Sequence, residues 1–224
     1  MKQFSLLCLS VLLLCGLNAQ KKGEWTSLFD GKTLAGWRTY QHKPATSWLV
    51  SDGTLYCKGN TGAGITHADL ITDAEFDSFE LELEWKIAPA ANSGILYRVT
   101  EEYPSSYESG PEYQLIDDEG YPGKLEAWQK TGANYAMNPP LEPAANKAGE
   151  WNQTRIIVKG NHVEHWLNNK KVAEYEFHSD AWKQQKMNGK WKNTAGYGMA
   201  AKGHIALQDH GGQAWFRNIR IRKL

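Results

Sequence analysis

The sequence predicts an all-β protein in which two antiparallel sheets pack into a sandwich, and two observations lead to this fold class. The first is a strict alternation in residues 79–87, where apolar and charged side chains exchange places at every position. A period of two is typical of a strand with one buried face and one solvated face. The second is a succession of short apolar segments between turn residues, without a long helical period. We expect one domain over residues 23–224.

The predicted strands are short and follow one another along the chain. We place them at residues 48–50, 54–57, 79–87, 95–99, 113–116, 155–159, 163–167, 172–177, 204–208 and 216–221. Turn residues separate them, as in Asp52-Gly53 and Gly211-Gly212. Asn168-Asn169 tolerates the positive φ that tight hairpin turns require, so residues 161–177 are predicted to form a hairpin.

Residues 118–148 do not fit this pattern. They contain three glycines, four prolines and several aromatic residues, including Trp128 and Tyr135, without a convincing period. Loops of this length in a compact domain usually serve a function. We therefore expect a flap over a binding face, with a short helix near residues 124–129.

Residues 1–19 are predicted to be a secretory signal peptide that is removed after Ala19. A basic residue, Lys2, is followed by an apolar region and then by small or polar residues. The apolar stretch is shorter than the roughly 18 residues that a membrane span needs. We expect the mature chain to lie in the periplasm or outside the cell. A lipid anchor at Cys15 is less favoured, because Leu14 is larger than the residue that normally precedes a lipidated cysteine.

The amino-acid composition limits which interactions can stabilise the mature chain and which partners it can bind. Removal of residues 1–19 leaves Cys57 as the only cysteine, so no internal disulfide can form. Lys and Arg together number 25, as do Asp and Glu, and no basic stripe is present, so nucleic acid and membrane surfaces are not expected partners. The ten Trp and ten Tyr residues suit the flat face of a sugar ring, although most must serve the core.

Six motifs, in order along nearly the whole mature chain, resemble those of the 3-keto-disaccharide hydrolase domain family. They are Trp25-Thr-Ser-Leu-Phe-Asp-Gly-Lys-Thr-Leu-Ala-Gly-Trp37, Asn92-Ser-Gly-Ile-Leu-Tyr-Arg98, Pro111-Glu-Tyr-Gln114, Gly149-Glu-Trp-Asn152, Gly160-Asn-His-Val-Glu-His-Trp-Leu-Asn168 and Gly203-His-Ile-Ala-Leu-Gln-Asp-His-Gly211. The resemblance implies a concanavalin-like jelly roll of two curved antiparallel sheets. It also implies an oligosaccharide or glycoside substrate that is already oxidised to a ketone at C3, and cleavage of that substrate.

A 3-keto sugar permits a route that an ordinary glycoside does not. The ketone acidifies the proton on C2, so a base can remove it, an enolate forms and the group on C1 leaves. Water can then add back, which gives net hydrolysis. Such a site needs a base near C2, a donor or cation facing the C3 oxygen and an acid near the glycosidic oxygen.

Strand alternation predicts which side chains converge on one open face. It places Arg98 on that face, opposite the core side of its strand. It places Glu112 and Gln114 there together, and it groups Gln208 with His210. We assign Glu112 as the base at C2 or the partner of that base, His210 as the alternative base or the acid, and Arg98 as the stabiliser of the enolate. The remaining predicted substrate-binding residues lie in the motifs or the long loop: Gln114, Asp117, Gln208, Asp209, Asn92, Lys124, Trp128 and Tyr135.

Simpler interpretations compete with these assignments. Arg98 and Glu112 on adjacent strands also fit a solvent-exposed ion pair, and His210 also fits a turn cap. Residues 117–119 are dense in carboxylates, but they lack the alternating spacing of a calcium loop, so a solvated turn is favoured over calcium. A zinc site is not expected, since alternation places His162 and His165 on opposite faces. No cofactor is expected.

Two other functions fit the same fold. A carbohydrate-binding module would have an open face dominated by aromatic residues and amides. A conventional glycoside hydrolase would carry two acidic residues on one strand, as in Glu-x-x-x-Glu. Here Gln114 and Ile116 follow Glu112 at the second and fourth places, which argues against a two-carboxylate mechanism.

Overall fold

The computed structural model describes residues 23–224, and these residues form two antiparallel sheets. The strands are β1 (Thr26–Ser27), β2 (Trp37–Thr39), β3 (Trp48–Ser51), β4 (Thr54–Cys57), β5 (Leu70–Phe76), β6 (Phe79–Ile87), β7 (Asn92–Val99), β8 (Glu112–Ile116), β9 (Asn152–Lys159), β10 (His162–Leu167), β11 (Lys170–Glu176), β12 (Gly203–Leu207) and β13 (Ala214–Lys223). One α-helix, α1 (Asp180–Asn188), and short 3₁₀ turns join them. The predicted all-β sandwich is confirmed.

The large sheet has the order β11-β10-β9-β6-β13-β4-β3, and β1 pairs with β13. The small sheet has the order β2-β5-β12-β7-β8. Their inner faces enclose one apolar core, to which β6 contributes five side chains that are at most 2% exposed. The alternation in residues 79–87 therefore predicted both the strand and its buried face correctly. A small second cluster, which includes Ile71, Leu96 and Ala206, covers part of the outer face of the small sheet.

The hairpin β10–β11 also follows the sequence prediction. Asn168 and Asn169 have φ values of 48° and 66°, the conformation that a tight hairpin turn needs. On β10, His165 is fully buried and His162 lies on the opposite, outer face, as alternation predicted. Burial lowers the pKa of His165 to about 4, so the ring is neutral at pH 7.

Strands β1, β2 and β5 and helix α1 have no counterpart in the sequence prediction. In β5, three buried residues are followed by three exposed ones, so the period of two is absent. The helix buries a single side chain, Trp182, and therefore shows no apolar period. The sequence does contain a typical N-cap residue for this helix, Ser179. In the structure, its hydroxyl accepts a hydrogen bond from the Trp182 amide at 3.2 Å.

The long segment 118–148 packs along the edge strand β8. Gly132 donates its backbone N–H to the carbonyl of Gln114 at 2.9 Å, and Tyr135 donates to the carbonyl of Glu112 at 3.0 Å. From the core side, the Nδ1–H of His165 donates to the carbonyl of Gly132 at 3.0 Å. The expected short helix is a 3₁₀ turn at Ala127–Gln129. These bonds hold Tyr135 beside β8.

The predictions for the start of the chain lie outside the described residues. These are the signal peptide over residues 1–19 and the less favoured lipid anchor at Cys15. Within residues 23–224, no helix is both long enough and apolar enough to span a membrane. Cys57 is a buried free thiol.

Candidate active site

A cavity of about 190 Å³ opens on the outer face of the small sheet, and we call it the Glu112 cavity. Strands β7 and β8 and the end of β12 form its floor. Its lining divides into three chemical groups, which are amides (Asn92, Gln114, Gln208), ionisable groups (Glu112, Lys190, His210) and aromatic rings (Tyr107, Tyr135, Trp191). Such a mixture of convergent polar groups and aromatic rings is typical of a small-molecule site.

The three amides share one property. The side-chain carbonyl oxygens of Asn92, Gln114 and Gln208 are buried and have no hydrogen-bond partner within residues 23–224. A buried acceptor without a partner costs free energy, and native proteins keep such groups rare. Three of them around one cavity are therefore suited to accept hydrogen bonds from a ligand rich in hydroxyl groups.

The carboxyl group of Glu112 lies against the backbone of the neighbouring strand. Glu112 is 5% exposed. A Cβ atom added to Gly94 would lie 2.5 Å from the Glu112 Oε1 atom, so only glycine leaves room for this carboxyl group. Burial raises the pKa of Glu112 to about 8, while the positive charge of Lys190 opposes that rise. The group can therefore lose or gain a proton near neutral pH.

Lys190 lies in the 3₁₀ turn Lys190–Asn193, immediately after helix α1. Its Nζ atom is 4.4 Å from the ring centre of Tyr135 and 4.8 Å from that of Trp191, a cation–π arrangement that restricts its position. Trp191 is held in turn by a hydrogen bond from its Nε1 to the carbonyl of Tyr135 at 3.2 Å. Of the lysines and arginines in the described chain, Lys190 is the one that lines this cavity.

Comparison with known proteins places this chain in a family. The family model described as the 3-keto-alpha-glucoside-1,2-lyase-like domain matches residues 24–222. The chain belongs to this family. It is also 33% identical to a 3-keto-disaccharide hydrolase of Bacteroides thetaiotaomicron, in an alignment that covers 89% of this chain and 78% of the relative.

Solved structures show the same architecture. One from Parabacteroides distasonis, described as a "putative glycosyl hydrolase", is 38% identical and has a TM-score of 0.82, with 89% of this chain and 94% of that chain covered. A second from the same organism and with the same description is 28% identical, with a TM-score of 0.69 and coverage of 90% and 100%. A Bacillus subtilis protein with a galectin-like fold is similar at 15% identity and a TM-score of 0.56, which shows the fold alone. The family's lectin-like jelly roll is thus the fold of this chain.

Six of the predicted site residues line the Glu112 cavity. They are Asn92, Glu112, Gln114, Tyr135, Gln208 and His210. Sequence reasoning missed Tyr107, Lys190 and Trp191, which come from segments without a predicted element. One local signal for these residues was present in the sequence. The N-cap serine of α1 marks the start of a helix, and Lys190-Trp191-Lys192 lies just after the end of that helix.

The predicted placement of Arg98 on the open face beside Glu112 is wrong. Arg98 has a φ of 54° and lies in a bulge, where the pairing of β7 with β12 shifts by one residue. The bulge breaks the alternation and turns the side chain away from the cavity. The guanidinium donates to the carbonyls of Asp77 at 3.0 Å and Gly160 at 2.6 Å, and it lies over the ring of Phe177.

Asp117 does not line the Glu112 cavity either. Its carboxylate accepts backbone N–H groups from Ala90 at 2.8 Å, Gly120 at 2.9 Å and Glu119 at 3.3 Å, which is the arrangement of a turn. Asp117 lines a larger cavity of about 410 Å³ between β8 and the long segment. We assign the chemistry to the smaller cavity because it combines an ionisable acid, a base and unpartnered amides.

The other predicted binding residues lie near the cavity or apart from it. Trp128 is 36% exposed and packs edge-on against Tyr135, with ring centres 5.4 Å apart, so it supports a residue that lines the cavity. Lys124 is exposed in an irregular part of the long segment and does not line the cavity. Asp209 lines an adjoining cavity, where its carboxylate lies 2.8 Å from His67 Nδ1.

One group of side chains has a spacing suited to a metal ion. Ligand atoms of His162, Glu164 and Glu174 lie within 4.8 Å of one another on the outer face of the large sheet. His162 also lies 2.8 Å from Glu176, so the cluster already forms ion pairs with itself. Exposed acidic clusters of this kind are common on strand faces, and the cluster is remote from the Glu112 cavity.

Proposed function

We propose that the protein cleaves glycosides whose sugar carries a ketone at C3, by removing the C2 proton and expelling the group on C1. One observation carries the proposal. Glu112 is the only carboxylate among the described residues that line the cavity. The two-carboxylate mechanism of ordinary glycosidases needs a second one, whereas proton abstraction next to a ketone needs a single base.

In the first step, the carboxylate of Glu112 takes the proton from C2. The electrons of that C–H bond form a double bond between C2 and C3, and the ketone oxygen becomes an enolate. The pKa of about 8 suits this step, because a base works best when its pKa lies near the operating pH. Lys190 stabilises the enolate oxygen in place of Arg98, because it supplies the cationic side chain of the cavity.

In the second step, the enolate returns to a ketone as a double bond forms between C1 and C2. The bond from C1 to the leaving oxygen breaks, and His210 gives that oxygen a proton. Addition of water to C1 then completes a hydrolysis, while release of the unsaturated sugar would be an elimination. Gln114, Gln208 and Asn92 bind the hydroxyl groups of the ring through their unpartnered carbonyl oxygens.

A carbohydrate-binding module is the second candidate. Three amides and three aromatic rings around one cavity also suit binding without chemistry. In that case Glu112 would contribute only hydrogen bonds, and glutamine would replace it at little cost. The two candidates therefore differ in what Glu112→Gln does.

The decisive experiment incubates the purified mature protein with a 3-keto disaccharide and with the unoxidised parent, and follows the products by mass spectrometry. We expect cleavage of the keto form alone. Glu112→Gln should lower that rate by about 10²- to 10⁴-fold, the usual contribution of a general base, whereas Glu82→Gln on the outer face of β6 should leave it unchanged. Binding of either sugar without cleavage would support the binding module. Cleavage of the parent would support a conventional hydrolase.

We also propose that the protein works in the periplasm or outside the cell. The support is the leader-like composition of residues 1–19. Cell fractionation with an antibody to the mature domain tests this, together with the mass of the exported chain, which should lack residues 1–19. A cytoplasmic, uncut chain would contradict the proposal.

A further inference from the structure

We propose that a second cavity, beside the Glu112 cavity, is the binding subsite for the leaving sugar ring, and that His67 is the residue that recognises its hydroxyl groups. This inference rests on the proposed function. It adds the side on which the leaving group lies and the residue that selects it. The second cavity has a volume of about 190 Å³, and we call it the His67 cavity.

The two cavities adjoin each other. Tyr107, Gln208 and His210 line both of them, so they form the boundary between the two spaces. Small-molecule sites usually occupy roughly 300 to 1,000 Å³, a range that the two cavities reach together and neither reaches alone. His210, the proposed acid, therefore lies where a bond between two rings would cross from one cavity to the other.

The chemistry of the His67 cavity is that of a preorganised hydrogen-bonding site. The side chain of Asp209 is fully buried, and its Oδ2 atom accepts the Nδ1–H of His67 at 2.8 Å. The backbone N–H of Asp209 donates to Asp69 Oδ1 at 2.8 Å, which fixes the aspartate. A carboxylate on Nδ1 sets the tautomer of the ring, so Nε2 is left as an acceptor for a hydroxyl group. A third of the His67 side chain is exposed at the cavity.

The wall between the cavities is anchored from three sides. The hydroxyl of Tyr40 donates to the carbonyl of Tyr103, and Lys43 Nζ donates to the carbonyl of Pro104, both at 2.6 Å. The Ser106 hydroxyl donates to the carboxylate of Asp69. These bonds hold Tyr107, a residue that is 41% exposed and whose ring offers a flat face to a sugar ring.

A third cavity also touches the Glu112 cavity, through Asn92 and His210. Its walls include Asn60, Tyr121 and two adjacent glycines, and no charged carboxylate or lysine lines it among the described residues. A hydroxyl-rich ring is bound better by the charged and imidazole groups of the His67 cavity. The third cavity thus provides the matched control.

The test compares two substrates with the same keto ring and different leaving groups: a 3-keto disaccharide and a 3-keto methyl glycoside. His67→Ala should raise KM for the disaccharide about tenfold, the effect of losing one well-formed hydrogen bond, and should change the methyl glycoside parameters by less than twofold. His67→Gln, which keeps a hydrogen-bonding group, should recover most of the loss. Asn60→Ala should behave as the wild type on both substrates.

Each other outcome overturns the inference. An equal loss on both substrates would place the effect of His67 in the first cavity or in folding, and thermal unfolding of the variants would identify the latter. A disaccharide-specific loss in Asn60→Ala instead would move the leaving ring to the third cavity. If the wild type cleaves neither substrate, the proposed function fails, and calorimetric binding of the same two sugars to wild type and His67→Ala still decides the subsite.

Discussion

The two outer faces of the sandwich use carboxylates in opposite ways. On the large sheet, three glutamates of β6 each meet an arginine of the neighbouring strand β13. The pairs are Glu84 with Arg217, Glu82 with Arg220 and Glu80 with Arg222, with Nε–O distances of 2.8, 2.9 and 2.7 Å. On the small sheet, Glu112 has no such neighbour, is 5% exposed and has a pKa of about 8. Each glutamate of the large sheet is paired with an arginine, whereas Glu112 is buried without an arginine partner and feels the positive charge of Lys190.

The difference shows that strand alternation does not separate a structural carboxylate from a chemical one. Glu82 and Glu112 both point outward from a strand, and both are followed two residues later by a polar side chain. What separates them is what covers each face. Arginines stacked on tryptophans cover β6, as Arg217 does over Trp151 at 3.9 Å. The 3₁₀ turn Lys190–Asn193, which follows α1, covers Glu112 and excludes water from it. The same turn places Lys190 in the Glu112 cavity.

Among the tests of this comparison, loss of the positive charge of Lys190 should produce the largest change, and that change is in kcat/KM. We expect Lys190→Met to lower kcat/KM for the 3-keto substrate by about 10²- to 10³-fold, because one donor to a developing oxyanion contributes that much. Lys192→Met is the matched control, since Lys192 is exposed on the same turn. Binding of the unoxidised parent should be unchanged in both variants, because it carries no ketone. Equal rates for the two variants would remove Lys190 from the mechanism.

The pH profile of the wild type follows from the pKa of Glu112. Because the base must be ionised and its pKa is raised to about 8, the acid limb of the kcat/KM profile should rise about tenfold per pH unit up to about pH 8. Initial rates between pH 5 and pH 9 measure it. A rate that does not change between pH 5 and pH 8 would remove Glu112 as the base.

The burial of Glu112 should also lower the free energy of unfolding when its carboxyl group is ionised. Its folded pKa of about 8 exceeds the ordinary 4.5, so the cost is absent below pH 4.5 and fully present above pH 8. Glu112→Gln should therefore raise the free energy of unfolding by roughly 3 to 5 kcal/mol at pH 8.5, since the pKa rises from 4.5 to about 8 and each pKa unit corresponds to about 1.4 kcal/mol. Urea unfolding at pH 4 and pH 8.5 tests this. A gain of equal size at both pH values would show that ionisation is not its cause.

A substitution on the outer face of the large sheet, where glutamates pair with arginines, should give the smallest change in the free energy of unfolding. Glu82→Gln removes an ion pair whose arginine is half exposed, so we expect a loss of less than about 1 kcal/mol that shrinks further at high salt. Urea unfolding in low and high salt measures it. A loss as large as the change in Glu112→Gln would mean that the two faces do not differ as described.

Much of the fold followed from the sequence because burial on one face imposes a period of two. That period placed β6 correctly and put Glu112 and Gln114 on the outer face of β8. It failed at Arg98, where a positive φ inserts an extra residue and no local pattern signals the bulge. Residue propensities do not predict this bulge, because it depends on the pairing of β7 with β12.

The cavity itself was only half predictable. Residues on strands could be grouped by register, which is how Glu112, Gln114 and Gln208 were found, whereas Asn92 was taken from a family motif. Lys190 and Trp191 reach the cavity through the packing of an irregular segment, where Trp191 stacks on Tyr197 at 4.3 Å between ring centres. Contacts between segments distant in sequence carry no periodic signal, so the cationic partner of Glu112 could be identified only in three dimensions.

Gly94 sets a limit for anyone who wishes to change the substrate range of this protein. Its missing side chain is the space that the Glu112 carboxyl group occupies, so a library that varies position 94 would displace the base before it altered recognition. The positions open to engineering lie on the rim, at Tyr107 and His67, which line the cavity where we place the leaving ring. Randomising those two positions while Gly94 stays fixed would separate substrate selection from proton transfer.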